Sequence, residues 1–411
     1  MFGKDNPICA RCLLLIVSLV VMVVCAMRTP VVHADGGAPN LAYVAGSTGG
    51  VGVIDVGQQK VTKTIKVAGD PHLVALSQDG RFLYVTQPQL NKIAIIAART
   101  GDQVCAASVP GAPTLLVFDP NVKSLYVGGS NGPTVTVIDA ENCTIKRKIE
   151  TTGPVYGLAY AAVGSAVSGK NGEQLWVSNE KALNVYDDVS GQQLANIPLP
   201  QGPRYLSIPP GSTVYATTAA GSLQAIDLSS HKVSPLLSGG TYGPMDFDET
   251  TGEVYVPDST HNQLVVLNPV NAGFTIPKEP NHVLKLDAAP RSIAITNDGQ
   301  LGFAALSNGN VAMYDIPGRQ LAATIPAGGT PQFIITGLYP PNLGTTPQQA
   351  SLVDKLGNIL GYVIVVLLLV VPFLLFRRYA KARGATAANQ PVEVQAGQGQ
   401  EETPLTPPDE Y

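Results

Sequence analysis

The residues of this chain best able to bind a small molecule are His72, Arg204, Arg291 and Gln332. Each stands directly after a proline that opens a recurring stretch: Pro71, Pro203, Pro290 and Pro331. Thr114, Val155 and Met245 hold the same place after Pro113, Pro154 and Pro244. If the stretches are equivalent in the fold, these seven side chains form a ring. Two guanidinium groups, an imidazole and an amide converging on a narrow mouth would suit an anion: a carboxylate, a phosphate or a sugar acid. Low-dielectric walls would strengthen that attraction. The same residues have a plain structural use, hydrogen-bonding neighbouring repeats and water.

Other motifs do not survive inspection of their surroundings. Gly128–Gly132 (GGSNG) has the spacing of a nucleophile elbow, but that motif needs a helix after the serine and another strand follows here. Gly164–Lys170 (GSAVSGK) has the Gly-to-Lys spacing of a phosphate loop. Asn171 stands where the magnesium-binding Ser or Thr would be, and no strand–loop–helix unit surrounds it. No H-E-x-x-H is present, and beyond the N-terminal segment there is no C-x-x-C. His72, His231, His261 and His282 fall in different repeats or at different strand positions, which argues against a histidine metal centre. No catalytic residue, metal site or cofactor is expected.

The elements that would position the ring are legible in the spacing. The opening prolines follow one another at intervals of 42, 41, 49, 41, 46 and 41 residues. A period in the low forties with several short apolar runs per period is the mark of propeller blades. Each unit reads as four strands. The first is a short run after the proline (HLVALS, TLLVFD, RSIAIT) and the second carries an aromatic (FLYVT, SLYVG, QLWVS, TVYAT, EVYVP, LGFAA). The third ends in an acid in most copies (VGVID, TVTVID, LNVYD, LQAID, VAMYD), and the fourth runs to a Gly (CAASVPG, AATIPAGG). β-Branched and aromatic residues in such runs favour strands. Asp79-Gly80 and Asp298-Gly299 supply tight turns between first and second strands. Asp55, Asp139, Asp227 and Asp315 close third strands, where their carboxylates would accept backbone N–H groups of the next turn.

Six complete units run from Pro71 to about Gly329. Ala42–Val67 supplies second, third and fourth strands without a first, and Gln332–Leu338 supplies a first strand alone. Joined, the two partial units make a seventh blade and close the ring, leaving no open sheet edge there. The expected fold is all-β, a seven-bladed β-propeller over residues 41–338. Two units are longer than the rest, through Ala161–Glu173 between first and second strands and Asn268–Asn281 between third and fourth. Both loops would emerge on one face.

The units PHLVALSQDGRFLYVTQ and PRSIAITNDGQLGFAALSNGNVAMYD resemble the YVTN-type β-propeller repeat, found in surface-layer proteins and seven-bladed lactonase-like proteins. FLYVT keeps most of the family tetrad, while other copies drift to YVGG, WVSN, YATT and YVPD. The resemblance covers about 300 residues. It implies the fold and a secreted or cell-surface address, and it fixes no ligand.

The ends of the chain speak of a membrane. Lys4 and Arg11 precede the apolar run Leu13–Met27, and Val32-His33-Ala34 places small residues before Asp35. This is the pattern of a secretory signal over residues 1–34; an uncleaved anchor helix is the alternative. A lipoprotein reading fails at Cys25, because Val24 stands where a small residue belongs. Residues 339–357 read as a stalk. Asn358–Phe376 carries no charge over 19 residues, enough to span a hydrocarbon core. Arg377, Arg378, Lys381 and Arg383 follow it and place that end in the cytoplasm. The expectation is a single-pass membrane protein with the propeller outside and residues 377–411 as a disordered cytoplasmic tail. Thr403-Pro404 and Thr406-Pro407 are possible phosphorylation sites in it.

Cys105 and Cys143 are the two cysteines left once the signal is removed. An even count outside the cell favours a disulfide. Against it, Cys105 lies in a fourth strand and Cys143 in the turn after the third strand of the next blade, and outer strands of neighbouring blades diverge. A bond requires Cα atoms within about 7 Å. The formal charge of −4 leaves no basic footprint for nucleic acid. These readings favour a binding or interaction module, for an anionic small molecule at the channel mouth or for a protein partner. A lactonase-like hydrolase and a purely structural cell-envelope protein are the alternatives.

Overall fold

In every repeat a buried strand pair rich in Val, Ile and Leu, with at least one aromatic, is flanked by an inner strand and by a more exposed outer one. The computed structural model describes residues 40–119, 121–162, 172–270 and 280–337. Over these residues the chain forms seven four-stranded antiparallel sheets. Blade 1 shows the plan, with strands Val74–Leu76, Phe82–Gln87, Lys92–Ala97 and Gln103–Ser108. Phe82–Gln87 is buried on both faces, which is why it reads as a continuous apolar run. Gln103–Ser108 is largely exposed, as a strand at the outer edge of a sheet must be. The turn between first and second strands works through Asp79, which accepts from Ser77 Oγ at 2.6 Å and from Arg81 N at 3.1 Å. Gly80 beside it takes a φ of 71°, a conformation costly for any other residue.

Blades 2 to 6 follow, with inner strands Leu115–Phe118, Gly157–Ala162, Pro203–Ser207, Asp246–Phe247 and Pro290–Ile295. Blade 7 is made from both ends of the propeller. Its inner strand, Phe333–Gly337, pairs with Leu41–Ser47, and Gly50–Asp55 and Lys60–Lys66 complete the sheet.

The core is divided into seven apolar clusters, one between each pair of neighbouring blades. Aromatics of the second strands are central to them: Tyr43, Tyr126, Trp176, Tyr215, Tyr255 and Phe303 are all among the largest fully buried side chains. Several reach the next blade with a polar tip. Tyr84 Oη donates to the Ala140 carbonyl at 3.0 Å, Tyr126 Oη to the Asp188 carboxylate, and Tyr215 Oη accepts from Val270 N at 2.9 Å. Trp176 meets His231 edge-on at 5.6 Å. The acids that close third strands hold the following turns: Asp55 accepts from Gln58 N, Asp139 from Glu141 N and Asn142 N, Asp227 from Ser229 N and Ser230 N, and Asp315 from Gly318 N.

Cys105 and Cys143 are joined as a disulfide with a Cα–Cα distance of 6.0 Å. The geometry differs from a bond between two outer strands. Cys143 lies in the turn of blade 2 that folds back over blade 1, so the divergence of the outer strands does not separate the two sulfurs.

No helix among the described residues is long and apolar enough to cross a membrane. The stretches read in the sequence as a signal (1–34), a stalk (339–357), a membrane span (Asn358–Phe376) and a tail lie outside the described residues, as do most of the two long insertions.

Candidate functional site

The inner strands start at one face of the propeller, and their first residues surround a cavity of about 450 Å³. Strand pairing sets the position of each. His72 N donates to the Thr86 carbonyl, Thr114 N to Gly128 and Gln332 N to Ala45. His72, Thr114, Arg291 and Gln332 all line the cavity. Arg291 Nη1 donates to Gln332 Oε1 at 2.9 Å, a bond between the mouths of blades 6 and 7 that leaves the rest of the guanidinium exposed. Burial lowers the pKa of His72, Arg291 nearby lowers it further, and Asp70 works against both. His72 therefore offers a neutral imidazole at pH 7, able to donate and accept.

The remaining positions depart from the ring that the prolines suggest. Val155 is fully buried in the cluster between blades 2 and 3, and does not face the channel. In blade 3 it is Tyr156 whose N–H donates to the second strand, at Ser178 O, in the manner of His72. The proline of that blade sits one residue earlier in the register. In blade 5 the shift runs the other way: Gly243 N donates to Pro257 O, so Pro244 and Met245 lie deeper along the strand. Met245 still borders the cavity, as part of its wall. Arg204 is not among the lining residues. Its guanidinium stacks over the Tyr156 ring at 4.0 Å, and its Nη1 donates to the Pro203 carbonyl at 3.1 Å. The stack joins blades 3 and 4 beside the cavity.

Proline spacing gave no hint of several other lining residues. Tyr205, Tyr242 and Phe333 bring aromatic rings, and Thr241, Ser259 and Ser307 bring hydroxyls. Burial raises the pKa of Tyr205, and both Arg204 and Arg291 are close enough to oppose that shift. Its phenol thus lies within electrostatic reach of both guanidiniums. Tyr205 follows Arg204 directly, so an aromatic two residues after the opening proline was the available signal. Two glycines let the inner strands close up: a Cβ at Gly157 would overlap the Arg204 carbonyl, and one at Gly243 would lie 2.7 Å from the Arg291 carbonyl.

Among the described residues neither Arg204 nor Arg291 is ion-paired with a carboxylate. Among the described residues no Asp or Glu lines the cavity, and no group of three or more metal-ligating side chains is found. The arrangement can hold a negative charge at the rim and an uncharged body below it.

A seven-bladed β-propeller with a cationic, polar channel mouth is the class that these observations define. No protein-family model and no curated protein matches the sequence. Solved structures share the fold. A chain of the hydrazine synthase of Kuenenia stuttgartiensis superposes with a TM-score of 0.55 at 16% identity, over 70% of this chain and 99% of that one. Dihydro-heme d1 dehydrogenase NirN, solved in complex with DHE, superposes with a TM-score of 0.53 at 14% identity, over 72% of this chain and 74% of that one. At these identities the likeness is one of fold, which hosts many unrelated activities.

Proposed function

We propose that this protein is a binding module of the cell surface that takes a small anion at the channel mouth. One observation carries the reading: Arg291, with no carboxylate partner among the described residues, is held by Gln332 at the rim of a cavity that also contains His72. A guanidinium steered by a neutral amide keeps its charge available, and a low-dielectric wall raises what that charge is worth. Arg204, pinned on Tyr156, is a second positive charge near Tyr205 of the cavity wall. The repeats belong, on this reading, with the YVTN-type propellers they resemble.

Residues 1–34 direct the propeller outside, and Asn358–Phe376 anchors it with residues 377–411 in the cytoplasm. The disulfide supports an oxidising compartment. Leu41 and Gly337 pair at the end of the inner strand opposite Gln332. The chain therefore leaves the propeller on the face away from the mouth.

The test is thermal unfolding of the purified protein against carboxylates, phosphate, sugar acids, lactones and divalent metals. A ligand at 100 times its Kd adds about 2.7 kcal/mol, a readily measured shift. A shift with anions that disappears in Arg291→Ala is expected. No shift with any anion would overturn the reading and move the search to protein partners on the blade faces.

A further inference from the structure

Below its polar rim the cavity changes character. Leu116, Leu206, Met245 and Phe333 come from four different blades and form much of its wall. Each is only partly buried by the protein, so each keeps apolar surface that a guest would cover. The charge, in contrast, is confined to the rim at Arg291. A fully hydrated anion such as phosphate would gain the rim contacts but leave the apolar wall in contact with water. A polyhydroxylated acid would have to strip its hydroxyls against leucine and phenylalanine, at a cost that only new hydrogen bonds could offset.

We infer that the channel mouth takes an organic monocarboxylate with an apolar body, its carboxylate on Arg291 and its hydrocarbon or ring against Met245 and Phe333. The inference rests on the anion-binding reading and adds the class of molecule to it. The cavity of about 450 Å³ is of the size that encloses small organic ligands. Tyr205 supplies a second donor: its phenol borders the same cavity and makes no side-chain hydrogen bond among the described residues. A carboxylate has two oxygens, and the guanidinium and the phenol can each take one. Burying the body against the apolar wall adds affinity in proportion to the area removed from water.

The experiment is isothermal titration of the full-length protein with four probes: 3-phenylpropionate, 3-phenylpropionamide, gluconate and inorganic phosphate. We expect 3-phenylpropionate to bind at least tenfold more tightly than the other three. Arg291→Ala should weaken it about tenfold or more. Tyr205→Phe, which removes one hydroxyl that nothing in the described fold uses, should weaken it severalfold with an unchanged melting temperature. If gluconate or phosphate binds as tightly, in an Arg291-dependent manner, the apolar-body inference falls and the anion site stands. If no anion binds, or binding ignores Arg291→Ala, both fall. Unchanged affinity in Tyr205→Phe would remove the phenol from the site and with it the two-donor grip on the carboxylate.

Discussion

Cys143 and Arg319 hold the same position in their blades: each is the left-handed residue, at φ 62° and 55°, of the turn between third and fourth strands. Each reaches back to the blade before it, Cys143 to the sulfur of Cys105 and Arg319 to Glu253 and Tyr255. His231, at φ 57°, does the same against Trp176. One turn geometry thus carries three chemistries, and each locks a pair of blades that the apolar clusters already bring together.

The covalent latch should matter most to the unfolded chain. Cys105 and Cys143 are 38 residues apart, and closing a loop of that length is worth about 4 kcal/mol in the chain-entropy treatment. We predict that Cys105→Ser/Cys143→Ser lowers stability by roughly 2–4 kcal/mol, read by denaturant unfolding. Peptide mass mapping of the alkylated, unreduced and denatured protein checks the bond itself: an alkylated Cys105 or Cys143 would mean free thiols there.

The ionic latch should show strong coupling. Arg319 Nη2 meets both Glu253 oxygens, at 2.8 and 2.6 Å, and Nη1 meets Tyr255 Oη at 2.6 Å. These contacts raise the pKa of Arg319 against the lowering effect of its own burial. Arg319→Ala leaves the buried Glu253 carboxylate without its counter-charge, held among the described residues only by Asn281 Nδ2 and Tyr255 Oη, and should cost about 2 kcal/mol, less than a fully buried pair because Arg319 is partly exposed. Glu253→Gln in the same background should recover part of the loss. A double-mutant cycle with no coupling would refute the latch.

Asp246 gives the propeller a pH dependence. It lies in the inner strand of blade 5 and accepts from Ile295 N of blade 6 at 2.7 Å. Burial pushes its pKa up to about 6, against the backbone hydrogen bonds from Ile295 and Phe247. A carboxyl whose folded pKa lies above its unfolded value of 3.8 binds its proton more tightly in the folded state. Stability from this group therefore falls as pH rises from about 4 to about 6 and stays lowered above that, by an amount on the order of 1–2 kcal/mol after allowance for partial exposure. We predict that Asp246→Asn, which keeps an acceptor for Ile295, raises the melting temperature at pH 8 and not at pH 4. Equal shifts at both values would dismiss the titration.

Of the described glycines, Gly157 leaves the least room for a Cβ. A methyl group there would collide with the Arg204 backbone carbonyl, which cannot swing aside as a side chain would. Gly157→Ala should destabilise by about 1–3 kcal/mol through overpacking. It should also force blades 3 and 4 apart and loosen the Arg204–Tyr156 stack, while Gly153→Ala, whose new Cβ meets nothing within 4 Å, should be mild. Comparing melting temperatures of the two variants checks the contact.

The blade count and the closing of the ring were legible in the sequence because they depend on local patterns. Strand periodicity, Asp-Gly turns and an aromatic in each second strand recur, and a missing first strand at one end matches a lone strand at the other. His72, Arg291 and Gln332 could be placed at the channel mouth for the same reason: in their blades the opening proline keeps step with the strand. Only the tertiary structure decided the rest. Tyr156 rather than Val155 takes the ring position, and Gly243 rather than Met245, because register is fixed by bonds to Ser178 and Pro257 on the next strand. A slip of one residue turns a side chain from the channel into the core. Arg204 reads like Arg291 in sequence, yet the ring of Tyr156, brought alongside by a neighbouring blade, draws it out of the cavity. The joining of Cys105 to Cys143 was likewise open in the sequence, since whether two elements from adjacent blades approach within bonding distance depends on how a turn folds back, and no local pattern records that.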